Sequence, residues 1–482
     1  MSKFNQTNTI KTQNKSGHAA YSMADKDKLV TQVLTSFFGE EKYYGDNTND
    51  LIKTATAVLN SEPKFVANLA RYARKEMHLR SVSHALTALI AHNVKSKEYI
   101  KEVVADVVER PDDITEILAC YLNMFGKPIP NGLKKALGDA VGWFSQFAIG
   151  KYNGGNKTVK FKDVLKLTHA KPKCEEMQNL YDAIINDALP TADRWETELS
   201  AHGNNKETWE KLIAEDKLGY MAMLRNLRNI INAAPSNIDE VYKKLADKAM
   251  VLVSKQLPFR FFSAYKEVSA IHDVSSKALD ALETAIEYST ENLPKLKGKT
   301  IIAIDVSGSM RESISVKSSV ACVDIARLLA VLASRICEEY TVFAFNNSLC
   351  PVTYSSKNGI SSTAMSIPNY GGGTSLELPL QHMLRNKLKA DRLIMLSDNE
   401  INSDYQGTCQ TLADAYRREI NGNLWVHAID LQGYGTQQFI GKNTNIIAGW
   451  SEKVLEFIAL TEVGIDNQVK RIAEYSTKSE RK

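Results

Sequence analysis

From Asn47 to Ser289 apolar residues return every three or four positions, the spacing of helices that each bury one face. The segments DLIKTATAVL, FVANLARYARKE, SVSHALTALIAH, EYIKEVVADVVE and DITEILACYLNMF carry this pattern, punctuated by Pro, Gly or Asn, and each begins about 15 to 18 residues after the last. Short helices repeated without strands predict an α-solenoid, in which each hairpin covers its apolar face with its neighbours. No fixed repeat consensus is readable, so the prediction is an irregular helical array. It continues through GLKKALGDAVGWFSQFAIGKY, LGYMAMLRNLRNIINAA, EVYKKLADKAMVLVSKQ and PFRFFSAYKEVSA. From Lys299 the texture changes to apolar β-branched runs alternating with helical ones: TIIAID, then VKSSVACVDIARLLAVLASRICEE, a hairpin of YTVFAF and LCPVTY, RLIMLSD, TLADAYRREI, LWVHAID, NIIAGW and a last helix. That alternation predicts a doubly wound α/β sheet. The expected organisation is a polar N-terminal segment at 1–19, a helical region at 20–291, a linker at 292–298 and the sheet domain at 299–482.

The run KTIIAI ends in DVSGSM, which places Asp305, Ser307 and Ser309 at the C-terminal end of a buried strand, where ligands of open α/β sheets collect. By itself such a loop could equally hold serines that cap the next helix. Two further segments of the same sheet enlarge the set. RLIMLSD ends in Asp398, and NYGGGTS presents Thr374 after three glycines. Two carboxylates and three hydroxyls, with no His or Cys among them, are an all-oxygen set suited to a hard divalent cation such as Mg²⁺. The constellation resembles the metal-ion-dependent adhesion site of von Willebrand factor A domains, which implies docking of a partner's carboxylate. No catalytic centre is indicated. A second aspartate two residues after Asp305 is replaced by Ser307, no GxxxxGK[ST] loop is present, and no nucleophile has a paired base.

Charge changes the picture of the helical half. The chain's net charge is +4, but residues 299–482 carry 19 basic and 19 acidic side chains, so the excess lies upstream. Between Lys127 and Lys173 ten lysines stand against two aspartates, a local +8 interleaved with Tyr152, Phe161 and His169. This pattern is that of a surface meeting phosphates. A second basic cluster, Arg74, Lys75, His78 and Arg80, reads as a solvated turn, and Phe259, Phe261 and Phe262 read as core. Six widely spaced cysteines fit reduced thiols. With no apolar leader and no apolar run near ~18 residues, a cytoplasmic protein free of the membrane is expected.

Beyond DVSGSM and GGTS, the segments SDNE, NGLKKAL, KDVLKLTHAKP and LGYMAMLRNLRNI resemble the Ro autoantigen family, over nearly the whole chain from about Ala20 to about Tyr475. The resemblance is to its bacterial or phage type. It implies a non-enzymatic, monomeric ring of HEAT-like helices, the TROVE module, closed by the A domain. It further implies small non-coding Y-type RNA on the outer surface and single-stranded 3′ ends of misfolded RNAs in a central hole, in RNA quality control, with an exoribonuclease or RNA-repair protein as a further partner. In the family's L-S-H-x-K-P segment the histidine matches His169, and the lysine of its KY pair matches Lys151. An arginine expected soon after is absent, Lys157 being the nearest cation, and lysine lacks the bidentate fork for phosphate. The RNA-binding candidates are Lys134, Lys135, Lys151, Lys157, Lys160, Lys162, Lys166, His169, Lys171, Arg225 and Arg228. A different reading stays open: an adaptor that binds proteins through the A-domain metal, with a protein-binding solenoid.

Overall fold

The computed structural model describes residues 11–14, 17–35, 46–153, 157–189, 195–256, 258–291, 293–313, 320–355, 357–402, 408–432, 436–448, 453–462 and 468–476. The chain forms two compact units: residues 25–193 with 468–482, and residues 1–24 with 194–467. Among the described residues no helix is long and apolar enough to cross a membrane.

The first unit is helical. Its helices pack on neighbours one and two places along the chain, as the solenoid pattern predicts. Pro63–Lys75 lies on Ser81–His92 and Ile100–Val107, Ser81–His92 on Pro111–Phe125, Ile100–Val107 on Asn131–Val141, and that helix on Phe161–Thr168. Local chemistry sets the ends. Pro63 and Pro111 begin their helices, where a missing N–H costs nothing, and Gly126 closes Pro111–Phe125 at a φ of +65° that disfavours other residues. The unit also recruits a distant segment. The helix Gln468–Ala473 packs on Pro63–Lys75, Asn68 Nδ2 donates to the Ala473 carbonyl at 2.9 Å, and the rings of Tyr72 and Tyr475 meet edge to face at 5.4 Å.

The basic cluster expected to be a solvated turn is instead part of an interior ion network. Arg74 is buried, and its Nη2 lies 3.1 Å from Asp113. Arg80 donates to the other Asp113 oxygen at 2.7 Å, and the His84 Nε2 stands 3.0 Å from that same oxygen. Asp113 also accepts the backbone N–H groups of Glu109 and Arg110 at 3.0 and 2.9 Å, which caps its own helix. Burial alone would raise the Asp113 carboxyl. The hydrogen bond and charge of His84, with Arg80 and Arg74, outweigh burial and hold it far below the ordinary carboxylate range.

The second unit contains a six-stranded sheet. Its spatial order is Leu349–Val352, Cys337–Phe345, Leu296–Asp305, Arg392–Ser397, Trp425–Asp430 and Thr444–Ala448. All neighbours are parallel except the edge strand Leu349–Val352, which forms the expected hairpin with Cys337–Phe345. Alternate side chains face opposite ways. Ile301, Ala303, Leu393, Met395, Val426 and Ala428 meet Leu380, Met383 and Tyr416 on one side. Cys322–Ile336, buried along nearly all its length, packs against Leu296–Asp305. The α plus doubly wound α/β architecture is therefore present. The helices from Trp195 to Ser289 belong to this unit. Glu283, on Ser276–Ser289, accepts the backbone N–H groups of Ser361 and Ser362 at 2.9 and 2.8 Å, a carboxylate on the exposed donors of a helix start. A small antiparallel sheet pairs Lys11–Gln13 with Ala19–Ser22, and that strand with Thr436–Gln437.

Replacing Asp113 strips two arginines of a buried partner, so Asp113→Ala should destabilise the helical unit by about 3–5 kcal/mol. Urea unfolding followed by helical circular dichroism measures this, with Lys135→Ala, an exposed site, expected within about 0.5 kcal/mol of the parent. The contribution is complete above the unfolded carboxylate range and is lost only as pH falls through the depressed folded value, in strong acid.

Candidate functional site

The residues drawn from three separate segments converge at the C-terminal ends of the central strands. Ile304 pairs with Leu396, so Asp305 and Asp398 emerge from adjacent strands, both fully buried. The loops are stitched by backbone hydrogen bonds: Gly308 N to the Gly372 carbonyl at 2.8 Å, Gly371 N to the Val306 carbonyl at 2.9 Å, and Asn402 N to the Thr374 carbonyl at 3.0 Å. Gly371 and Gly372 take φ of +70° and +89°, which explains the glycine run before Thr374. Inside this frame Asp305 accepts the Ser397 hydroxyl at 2.6 Å and the Ser307 backbone N–H at 2.9 Å. The Ser307 and Ser309 hydroxyls lie 3.2 Å apart, and Asp398 accepts the Glu400 backbone N–H at 3.1 Å.

The expectation of a Mg²⁺ cofactor held by Asp305, Ser307, Ser309, Thr374 and Asp398 is corrected. Among the described residues no three His, Cys, Asp or Glu side chains come together as a group that could hold a metal ion. The cluster has two carboxylates, and the oxygens of Asp305 are engaged by Ser397 and Ser307. Both carboxyls titrate above the ordinary range. Burial is the main cause for each, the charge of Asp398 adds to it at Asp305, and the Ser307, Ser397 and Ser309 hydroxyls offset part of the rise. The arrangement is one of two buried acids that accept hydrogen bonds from neighbouring hydroxyl and backbone donors.

The lysine-rich segment presents a different surface. Lys135, Lys151, Lys160, Lys166, His169 and Lys171 are exposed, and Lys134, Lys157 and Lys162 are half-buried. Both acids of the segment are already engaged. Asp139 pairs with Lys173 at 2.9 Å, and Asp163 caps Phe161–Thr168 by accepting the Lys160 backbone N–H at 2.9 Å. Lys162 is neutralised by Asp187 at 3.2 Å. Lys134, Lys135, Lys157, Lys160, Lys166 and Lys171 have no carboxylate partner among the described residues. His169 closes its helix in the left-handed conformation, at φ +52°. The Lys151 ammonium lies 5.7 Å from the Tyr152 ring centre, whose π face also carries Arg110 at 4.9 Å.

Comparison with known proteins assigns these two halves together. The family model described as TROVE domain matches residues 39–189 and 186–282, just over half of the chain, and the one described as Ro60 vWA domain matches 299–459. The chain belongs to the Ro autoantigen family. It is 26% identical over 229 residues to the RNA-binding protein RO60 of Caenorhabditis elegans, covering 45% of this chain and 34% of that protein. It is 22% identical over 314 residues to telomerase protein component 1 of Mus musculus, covering 47% of this chain and 12% of that protein. The chain thus spans well under two thirds of either relative. The crystal structure of the Deinococcus radiodurans RO (RSR) protein shares the fold, with a TM-score of 0.65 at 15% identity, covering 92% of this chain and 100% of that one.

In this Ro chain the remaining candidates, Arg225 and Arg228, lie exposed on Tyr220–Ala233, in the unit that contains the sheet. Arg228 is paired with Glu267 at 3.0 Å. Arg225 stands close enough to Arg260 that burial and its charge push the Arg260 guanidinium down to about 10. His427 shares Glu462 with Arg392 at the opposite end of the strands, at 2.9 and 2.6 Å. Its carboxylate partner arrives from a helix 35 residues away, which no local pattern announces.

A carboxyl with a raised folded pKa holds its proton more tightly folded than unfolded, so stability falls as pH rises from the ordinary carboxylate range through the raised value. Asp305→Asn removes the buried charge. It should be more stable than the parent at pH 8, with the gap closing towards pH 5, by about 1.4 kcal/mol for each unit of the raised pKa. Thermal melts across that range measure it, and a gap that widens towards acid would contradict the assigned direction.

Proposed function

We propose that this Ro-family chain is a non-catalytic RNA-binding protein of non-coding RNA quality control or processing. The observation that carries the reading is the lysine surface of residues 127–173, where six lysines lack a carboxylate partner among the described residues. Surface cations without a carboxylate partner are the electrostatic footprint of a phosphate backbone, and counterion release on binding supplies the affinity. The named RNA-binding relative RO60 supports the same partner class. In the finer form of the proposal, a small structured Y-type RNA occupies the outer surface through Lys151 and His169. Single-stranded 3′ ends of misfolded RNAs enter the central hole that a ring of the family's type would enclose, using other cations such as Arg225. The bound RNA is then presented to an exoribonuclease or repair protein. The helical region 20–291 carries the RNA, and 299–482 is the A domain.

The electrostatic part is tested by gel shift of a folded stem-loop RNA over a salt series. The log–log slope should be about −0.7 to −0.9 for each phosphate neutralised, and Lys134→Ala with Lys135→Ala should make it shallower by about 1 to 2. A salt-independent affinity would remove the reading. The division into two modes is tested separately: Lys151→Ala with His169→Ala should weaken the stem-loop by about 1–3 kcal/mol and leave a 3′-tailed RNA nearly unchanged. Equal loss on both RNAs would mean one surface serves both.

A further inference from the structure

Between Asn131–Val141 and Phe161–Thr168 the chain turns large rings towards water. Phe147 is 56% exposed and Trp143 36% exposed. Single exposed apolar residues are common and need no account, but these two differ in their setting. They lie within the segment of local charge +8, whose two acids are committed to Lys173 and to a helix cap. Phe147 and Lys151 are four residues apart on Gln146–Tyr152, so the ring and the ammonium share one face, a turn apart. The position of this helix is fixed from beneath. Ile149 is fully buried, Gln146–Tyr152 packs on Pro111–Phe125, and Ser145 caps it by accepting the Ala148 N–H at 3.2 Å.

The surrounding charge decides among occupants. A second copy of this chain would bring the same basic segment against itself. A continuous RNA duplex offers phosphates to the lysines but keeps its base faces stacked inside and its major groove too deep and narrow for a ring. An unpaired nucleotide offers both partners at once, a π face for the ring and an adjoining phosphate for the cation.

We propose that Phe147, with Trp143 four residues before it, is a stacking platform for unpaired bases, and that Lys151 takes the adjoining phosphate. The folded RNA proposed above then engages this surface through an unpaired loop or bulge. The proposal deepens the RNA-binding reading above and rests on it.

Fluorescence polarisation of a labelled stem-loop RNA with an unpaired loop and of a blunt RNA duplex of the same stem, at one salt concentration, separates the two ideas. Phe147→Ala and Phe147→Leu should each weaken the stem-loop about tenfold and leave the duplex within about twofold, whereas Phe147→Tyr should retain binding to both. The leucine keeps apolar area without a π face, and unchanged thermal melts exclude misfolding at an exposed site. Equal loss on both RNAs overturns the platform, and so does no loss on the stem-loop. In those cases Lys134→Ala with Lys135→Ala still reports on the phosphate reading. If the parent binds neither RNA, that reading falls and the platform with it.

Discussion

One buried carboxylate organises the helical unit. Asp113 accepts from two arginines, faces a histidine and takes two backbone N–H groups, and it sits at the start of the helix against which four others pack. An isolated ion in that interior would be untenable, so the carboxylate and its cations stand or fall together. The consequence reaches the surface. Arg110, whose backbone N–H is held by Asp113, lays its guanidinium over Tyr152, next to Lys151. Arg110 thus links the interior ion network to the helix that carries Lys151.

The two kinds of cation divide the labour according to their chemistry. Arg71, Arg74 and Arg392, with planar forks that fit carboxylates, are spent in the interior on Asp106, Asp113 and Glu462. Lys134, Lys135, Lys160 and Lys166, compact and well hydrated, have no carboxylate partner among the described residues. A diffuse phosphate backbone suits such point charges.

How much was readable from sequence follows from how local each determinant is. The parallel strands announced themselves because Arg392–Ser397 is buried at every position and reads as one apolar run. The convergence of DVSGSM, GGGTS and SDNE followed from their places at strand ends. The metal did not follow, because spacing fixes which oxygens meet but not whether they accept from neighbouring hydroxyls. Arg74 and Arg80 looked solvated because their acids lie 39 and 33 residues away, on another helix. Likewise Glu267, which pairs with Arg228, is 39 residues off. The polar strands Lys11–Gln13 and Ala19–Ser22 lack an apolar alternation to read, since their stability comes from pairing with each other and with Thr436–Gln437.

The route of the chain between its units has a consequence for handling the molecule. The second unit takes its first strands from before residue 25, and Asn14 holds the Ile401 carbonyl at 3.0 Å across 387 residues. The helical unit waits for residues 468–476, with Asn68 and Ala473 separated by 405. On the ribosome, the helix Pro63–Lys75 emerges long before the segment that covers it, so its final closure is postponed until nearly all of the described chain has been made. No single cut yields either unit whole: a fragment ending at residue 193 lacks its closing helix, and one beginning at 194 lacks the strands that finish the smaller sheet.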